Sequence, residues 1–201
     1  MIGTSCLAQN NTVTVTKESF ALERRLARRE RRRAEYRRGL RPMAIAGWNT
    51  SKEHNVGSLV RTAHAAAAHE VILVGDREWN VEAAKTSELY TDVTVLPDAD
   101  ALFRHLRARR LQLVAVELDS RAVNLFEAEY PKRPCFVLGG ERDGLPEVLL
   151  EAAELIVELP QWGLVPCLNV AVAGSIVLYD FLGKQARAGR LSRPDGGLLS
   201  E

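Results

Sequence analysis

Short apolar runs recur along the 201 residues: PMAIAGW (42–48), EVILVG (70–75), DVTVLP (92–97), LQLVAVEL (111–118), CFVLGG (135–140) and ELIVELP (154–160). Each is the length of a strand and apolar almost throughout, with little of the alternation that a sheet with one wet face requires. Between them lie helix-forming segments: Asn55, read as a possible cap, to about Ala68; DADALFRHLRARR (98–110), with Leu102, Phe103 and Leu106 on one face; a turn and helix from about Pro146; and a last apolar helix, Leu168 to about Leu182. Buried strands alternating with helices predict one α/β domain, a parallel sheet flanked by helices on both faces.

Charge is unevenly placed. Between Phe20 and Arg41 stand ten arginines against three glutamates, a local charge of +7, so the remaining residues sum to −6. The segment favours helix up to Arg38 and is punctuated by Gly39 and Pro42. It is either a solvated extension or a grip for a polyanion. Arginine meets phosphate as a planar fork and releases counterions there, which favours nucleic acid, with Arg24, Arg25, Arg28, Arg29 and Arg32 as the contact residues. Residues 1–41 therefore read as a polar tail plus this extension, 42–183 as the folded body and 184–201 as a flexible tail.

No run approaches the roughly 18 apolar residues of a membrane span, and the N-terminus lacks the pattern of a secretion signal. Cys6, Cys135 and Cys167 are far apart and form no C-x-x-C, so they read as reduced thiols of a cytoplasmic protein without a metal site.

Ligands of open parallel sheets bind beyond the carboxyl ends of the strands, which singles out loops 48–56, 139–146 and 160–168. LGGERDGLP (138–146) is neither a dinucleotide fingerprint nor a P-loop. Taken alone it is a strand-to-helix turn. Glu141 would repel a phosphate, so a zwitterionic or cationic ligand suits the loop better. In LPQWGLVPCLNVAVAGSIVLYDF (159–181), Asn169 is either a cap or a first-turn residue, and Cys167 is by default a packed small hydrophobe. No histidine is placed to activate that thiol; His64 and His69 look like surface residues. Arg61, in NVGSLVRTA (55–63), taken alone is the solvated side of a helix.

Together, NVGSLVRTA, VLGGERDGLP (137–146) and the 159–181 segment resemble, in order and spacing, the three motifs of the SpoU/TrmH family of RNA 2′-O-ribose methyltransferases, of the SPOUT class. The resemblance extends from about residue 42 to 183. It implies S-adenosylmethionine as methyl donor, RNA as substrate (tRNA favoured, rRNA possible), a homodimer and a C-terminal trefoil knot. Asn55 and Arg61 fall on the asparagine and arginine of motif one, Glu141 on the glutamate of motif two and Asn169 on the asparagine of motif three. Leu138, Gly139, Gly140, Leu159, Cys167 and Leu168 fall where family members wrap the cofactor, largely with backbone. The family arginine lies near the target ribose. Arginine is an awkward base, so Arg61 is expected to hold the phosphate or hydroxyl and stabilise charge developing on the oxygen; the alternative is a proton acceptor, with substrate phosphate relaying the proton.

The chain departs from the pattern at Cys167, where the family usually has serine, and at Gln161–Trp162. A thiol is the weaker hydrogen-bond partner. The rival readings are a catalytically silent RNA-binding protein of the same fold and, last, a nicotinamide oxidoreductase, for which the glycine fingerprint is missing.

Overall fold

The sequence-predicted alternation takes shape around a sheet in a computed structural model that describes residues 17–50, 52–75, 79–140, 143–165 and 167–191. The chain divides into two units, Met1–Glu35 and Tyr36–Glu201. Helix α1 (Lys17–Arg38) supplies the described part of the first unit, and its last residues belong to the second. Its arginine, glutamate, alanine and leucine content favours helix, and Gly39 ends it, with its N–H bonded to the Tyr36 carbonyl at 3.0 Å.

In the second unit the elements follow as β1 (Arg41–Trp48), α2 (Glu53–Ala65), β2 (Ala68–Val74), β3 (Asp92–Leu96), α3 (Ala99–Arg109), β4 (Gln112–Val116), β5 (Val123–Asn124), β6 (Pro134–Leu138), α4 (Glu147–Glu151), β7 (Leu155–Glu158) and α5 (Val170–Arg187). The strands form one sheet in the order β3-β2-β1-β6-β4-β7-β5, parallel at every pairing. β6 is thus inserted between the first and fourth strands.

Side chains alternate across the sheet, and each face has its own core. Met43 and Ile45 of β1 join Phe136 and Leu138 of β6 against Leu59 and Val60 of α2 and Val177, Leu178 and Phe181 of α5. Ala44, Ala46, Cys135 and Val137, the residues in between, meet Leu102 and Leu106 of α3 and Leu149 and Leu150 of α4. Burying a side chain such as Ile45 or Leu59 completely contributes about 1.5–3 kcal/mol. Strands buried on both sides have no wet face, which is why their sequence shows no alternation. The sheet faces carry different residue sizes: β1 offers alanines to α3 and α4 and larger residues to α2 and α5. Helix α5 comes especially close at Gly174, where a Cβ would lie 2.6 Å from Leu59 and 2.8 Å from Ile45.

Several expectations are corrected. Asn55 does not cap α2: the cap position is Lys52, and Asn55 lies inside the first turn, 1% exposed. Helix α2 stops at Ala65, and Ala67 turns the chain at φ 53° so that β2 begins at Ala68. β4 ends at Val116, and the expected loop beyond it holds the two-residue strand β5. Helix α5 runs past Gly183 to Arg187. His64 is half-buried, its ring 4.5 Å from that of Tyr36 and 5.7 Å from that of Tyr90. Its place on α2 is polar in sequence, and only the packing of distant aromatics covers part of it. Cys135 is buried and Cys167 exposed, both as free thiols, so Cys167 is not the packed residue expected; it lies in the loop before α5.

Candidate active site

The carboxyl ends of β1, β6, β4 and β7 lie side by side, and their loops define the site. Its first component joins two helix starts. Asn169 caps α5: its Oδ1 accepts the N–H groups of Ala171 (2.9 Å) and Val172 (3.2 Å). Those bonds fix which end of the amide is oxygen, so Nδ2 is the donor to Asn55 Oδ1, at 3.0 Å. A buried carboxamide needs such partners, because one left without them costs about 1–3 kcal/mol. The pair holds the positive ends of two helix dipoles at the same place, which favours negative charge there.

Further along α2, Thr62 Oγ1 and Ser175 Oγ lie 2.9 Å apart, and Ser175 Oγ donates to the Ala171 carbonyl at 2.7 Å. Val60 and Ala63 are buried on either side, while Arg61 faces outward, with no hydrogen bond or ion pair among the described residues. The helix is fastened on its inner face and presents the guanidinium to whatever binds. Arg61 is therefore on the exposed side, as a solvated residue would be, yet on a helix that cannot drift.

The second component is the glycine loop after β6. Leu138 is 2% exposed and its side chain is used up in the core, so only its backbone remains for a ligand. Gly140 and Gly144 form an antiparallel bridge, Gly144 N–H to Gly140 carbonyl at 3.2 Å, with Gly144 at φ 63°. A Cβ on Gly139 would sit 2.6 Å from the Gly144 carbonyl carbon, and one on Gly140 3.1 Å from the Trp48 carbonyl oxygen. Gly139, Gly140 and Gly144 form a cradle of bare backbone, which fits a ligand held by main-chain groups. Glu141 lies outside the described residues.

The third component follows β7. Leu159 is buried at 7%, whereas Cys167 and Leu168 are exposed, together with Trp162, Leu164 and Val165. The structure thus brings Asn55 to Asn169, and Gly139 and Gly140 to the end of β1. It shows no bond from Arg61 to any of these. Arg24, Arg25, Arg28, Arg29 and Arg32 lie in the other unit, exposed on α1.

Sequence reasoning missed Glu117. Directly after β4, its Oε1 accepts from its neighbour Leu118 N–H and its Oε2 from Leu145 N–H, each at 3.0 Å, the second bond reaching across to the glycine loop. The available signal was a carboxylate ending an otherwise apolar strand run. Thr62 and Ser175 were also missed, since hydroxyls on helices carry no signal of their own.

Comparison with known proteins agrees with this geometry. Residues 42–179 match the model of the SpoU rRNA methylase family. The chain belongs to that family. It is 31% identical over 150 residues to the tRNA (guanosine(18)-2′-O)-methyltransferase of Escherichia coli, covering 73% of this chain and 66% of that protein. To the enzyme of the same name from Thermus thermophilus it is 30% identical over 175 residues, covering 86% of this chain and 90% of the other. A crystal structure of an AdoMet-bound rRNA methyltransferase from Sinorhizobium meliloti superimposes with a TM-score of 0.66 at 29% identity, covering 78% of this chain and 61% of that one.

Proposed function

We propose that this chain transfers a methyl group from S-adenosylmethionine to the 2′-hydroxyl of an RNA ribose, with tRNA as the substrate. The observation that carries the reading is the joining of Asn55 and Asn169 beside a glycine cradle that has no room for side chains. The relatives named for tRNA guanosine 18 support tRNA; the Sinorhizobium structure, named for rRNA, keeps rRNA as the second reading.

S-adenosylmethionine would supply an electrophilic methyl on a sulfonium, and the backbone of Leu138, Gly139, Gly140, Leu159, Cys167 and Leu168 would hold it. Transfer needs in-line placement of the attacking oxygen, which a fixed site provides. As the methyl passes from sulfur to oxygen and leaves a neutral thioether, the protein's own contribution is to position the ribose, stabilise negative charge on its oxygen, and hold the substrate phosphate that relays the hydroxyl proton to water. Arg61 does this with a cation held on a fastened helix, and the paired starts of α2 and α5 add their dipoles. Glu141 completes the set assigned to motif two.

The arm grips RNA. On α1, Arg25, Arg29 and Arg32 share one face and Arg24 and Arg28 the next, a spacing suited to successive phosphates. In these terms residues 1–41 serve as the grip and 42–183 as the methyltransferase body, with 184–201 outside both roles. The active form is a homodimer. Its support is an apolar stripe on α5, Val172, Ile176 and Tyr179, left exposed one turn on from the exposed Leu168. A trefoil knot is supported by the strand order: β7 lies beyond β4, and α5 then returns to pack on α2 and β6. The location that goes with a tRNA substrate is the cytoplasm, and no described helix is long and apolar enough to cross a membrane.

The test is transfer of labelled methyl to unmodified total RNA, separated into tRNA and rRNA fractions, with Arg61→Ala beside wild type. Label in tRNA that vanishes in the variant is expected. Label in rRNA alone would change the substrate. Donor binding without transfer to either fraction would favour the silent RNA-binding reading.

A further inference from the structure

Glu117 begins the loop that follows β4, and its N–H is bonded to the Val157 carbonyl of β7 at 3.1 Å, so its backbone is pinned to the sheet. Its carboxylate holds two main-chain N–H groups, of Leu118 and of Leu145. The second bond ties β4 to the far side of the glycine loop, 28 positions along the chain. The same Oε2 would lie 2.8 Å from a Cβ on Gly139 and 2.7 Å from one on Gly144. The carboxylate therefore occupies the inner edge of the cradle, against both glycines that shape it.

A second tie lies four residues further on. Arg121 donates Nε and Nη2 to Asp119, at 2.7 and 2.8 Å, and Nη1 to Oε1 of Glu147, the first residue of α4, at 2.8 Å. The Arg121 guanidinium, and after it the Arg121 backbone N–H, hold the Asp119 carboxyl down at about 2. Segment 117–121 thus grips the glycine loop at Leu145 and the helix that ends it at Glu147. Nothing in the three family motifs lies on this segment.

We infer that Glu117 is a positioning residue for the methyl donor: by holding Leu145 N–H it sets Gly144 against Gly139 and Gly140, and donor affinity depends on it. This rests on the reading of that loop as the donor site. A carboxylate suits the task because it offers an acceptor to each of two N–H groups, and such charge-assisted bonds are short and strong. Glutamine offers one oxygen and one NH2, so it keeps one bond and opposes the other. Alanine leaves Leu145 N–H without its partner and opens the edge of the cradle.

The experiment is calorimetric binding of S-adenosylmethionine, and separately of its uncharged thioether product, to the full chain as wild type, Glu117→Gln and Glu117→Ala. Thermal unfolding of each protein without ligand is recorded alongside. Glu117→Ala is expected to weaken both ligands about tenfold or more, and Glu117→Gln to weaken both by a smaller, similar factor. The unliganded melting temperature of Glu117→Gln should stay within about 4 °C of wild type. Equal loss for both ligands is the mark of a misplaced loop, since the loop cannot distinguish the sulfonium. Unchanged affinity in both variants overturns the inference while leaving the donor site standing. Loss confined to the sulfonium ligand overturns it too, in favour of a direct charge contact. Failure of the wild type to bind either ligand overturns the donor-site reading itself. Should Glu117→Ala not fold, Glu117→Gln decides by the same comparison.

Discussion

Asn169 donates Nδ2–H to Oδ1 of Asn55 at 3.0 Å, joining the starts of α5 and α2 across 114 positions of sequence. The two ends of the amide do different work: the oxygen caps α5 and the nitrogen holds Asn55. Asn169→Ser keeps a capping oxygen but cannot reach Asn55, and it should cost about 1 kcal/mol in urea unfolding. Asn169→Ala loses both functions and should cost about 2–3 kcal/mol. Equal costs for the two variants would show that the link to Asn55 does not contribute.

Arg61 faces outward from a helix whose fold does not use it. Replacement by alanine should leave stability within about 0.5 kcal/mol of wild type while lowering methyl transfer by about 10²–10³-fold. Lysine keeps the charge without the planar fork and should fall between the two. Donor affinity, measured by calorimetry, should be unchanged in both. Normal transfer by the alanine variant would remove Arg61 from the mechanism.

His64 connects pH to the fixing of Tyr36. The Tyr36 hydroxyl donates to the His64 carbonyl at 2.9 Å, and His64 Nδ1 lies 3.3 Å from Thr91 Oγ1. Burial lowers the His64 pKa below its usual 6.5. The neutral ring is thus favoured in the folded state, while the unfolded chain takes up its proton near 6.5. The contribution is fully present above that pH and is lost as pH falls through it toward the lower folded value. The urea midpoint of wild type should therefore drop between about pH 7.5 and 5.5. His64→Phe, which keeps a ring against Tyr36, should reduce that drop; an identical pH dependence in the variant would rule His64 out as its source.

Glu70 is a buried carboxylate at 1% exposure, with Oε2 2.9 Å from His105 Nε2 and 3.2 Å from Thr94 Oγ1. It ties α3 to β2 and β3, away from the loops of the site. Burial, and secondarily the neighbouring Glu70 charge, push the Cys135 thiol far up, so Cys135 stays protonated and inert. His105→Ala should destabilise by about 3–5 kcal/mol by stranding the carboxylate. The double replacement Glu70→Leu with His105→Phe should cost less than that single change. Additive costs in a double-mutant cycle would mean the two groups are not coupled.

The stripe on α5 bears on assembly. If the proposed homodimer forms through it, Ile176→Glu together with Tyr179→Glu should leave a monomer in analytical ultracentrifugation where wild type sediments as a dimer, because charge on an apolar contact face is not desolvated without cost. A dimer that survives both changes would place the interface elsewhere.

The sequence by itself determined the layered α/β class. Strands enclosed on both faces must be apolar throughout, and Met43 to Ala46 and Cys135 to Leu138, short apolar runs set between helix-forming segments, fit that pattern. It also marked Asn169 as a helix start, since a cap is a local bargain between a side chain and N–H groups two and three residues ahead. Local preference misled at Asn55, whose value lies in a partner 114 residues away, and at His64, which distant aromatics bury. Glu117 left only a faint mark, a carboxylate at the end of an apolar run, because its meaning lies in the N–H of Leu145, which only the insertion of β6 beside β4 brings within reach. Periodicity records which side of an element is wet. Which strand lies next to which is settled by packing the whole chain at once, and in this protein the site is made where those neighbours meet.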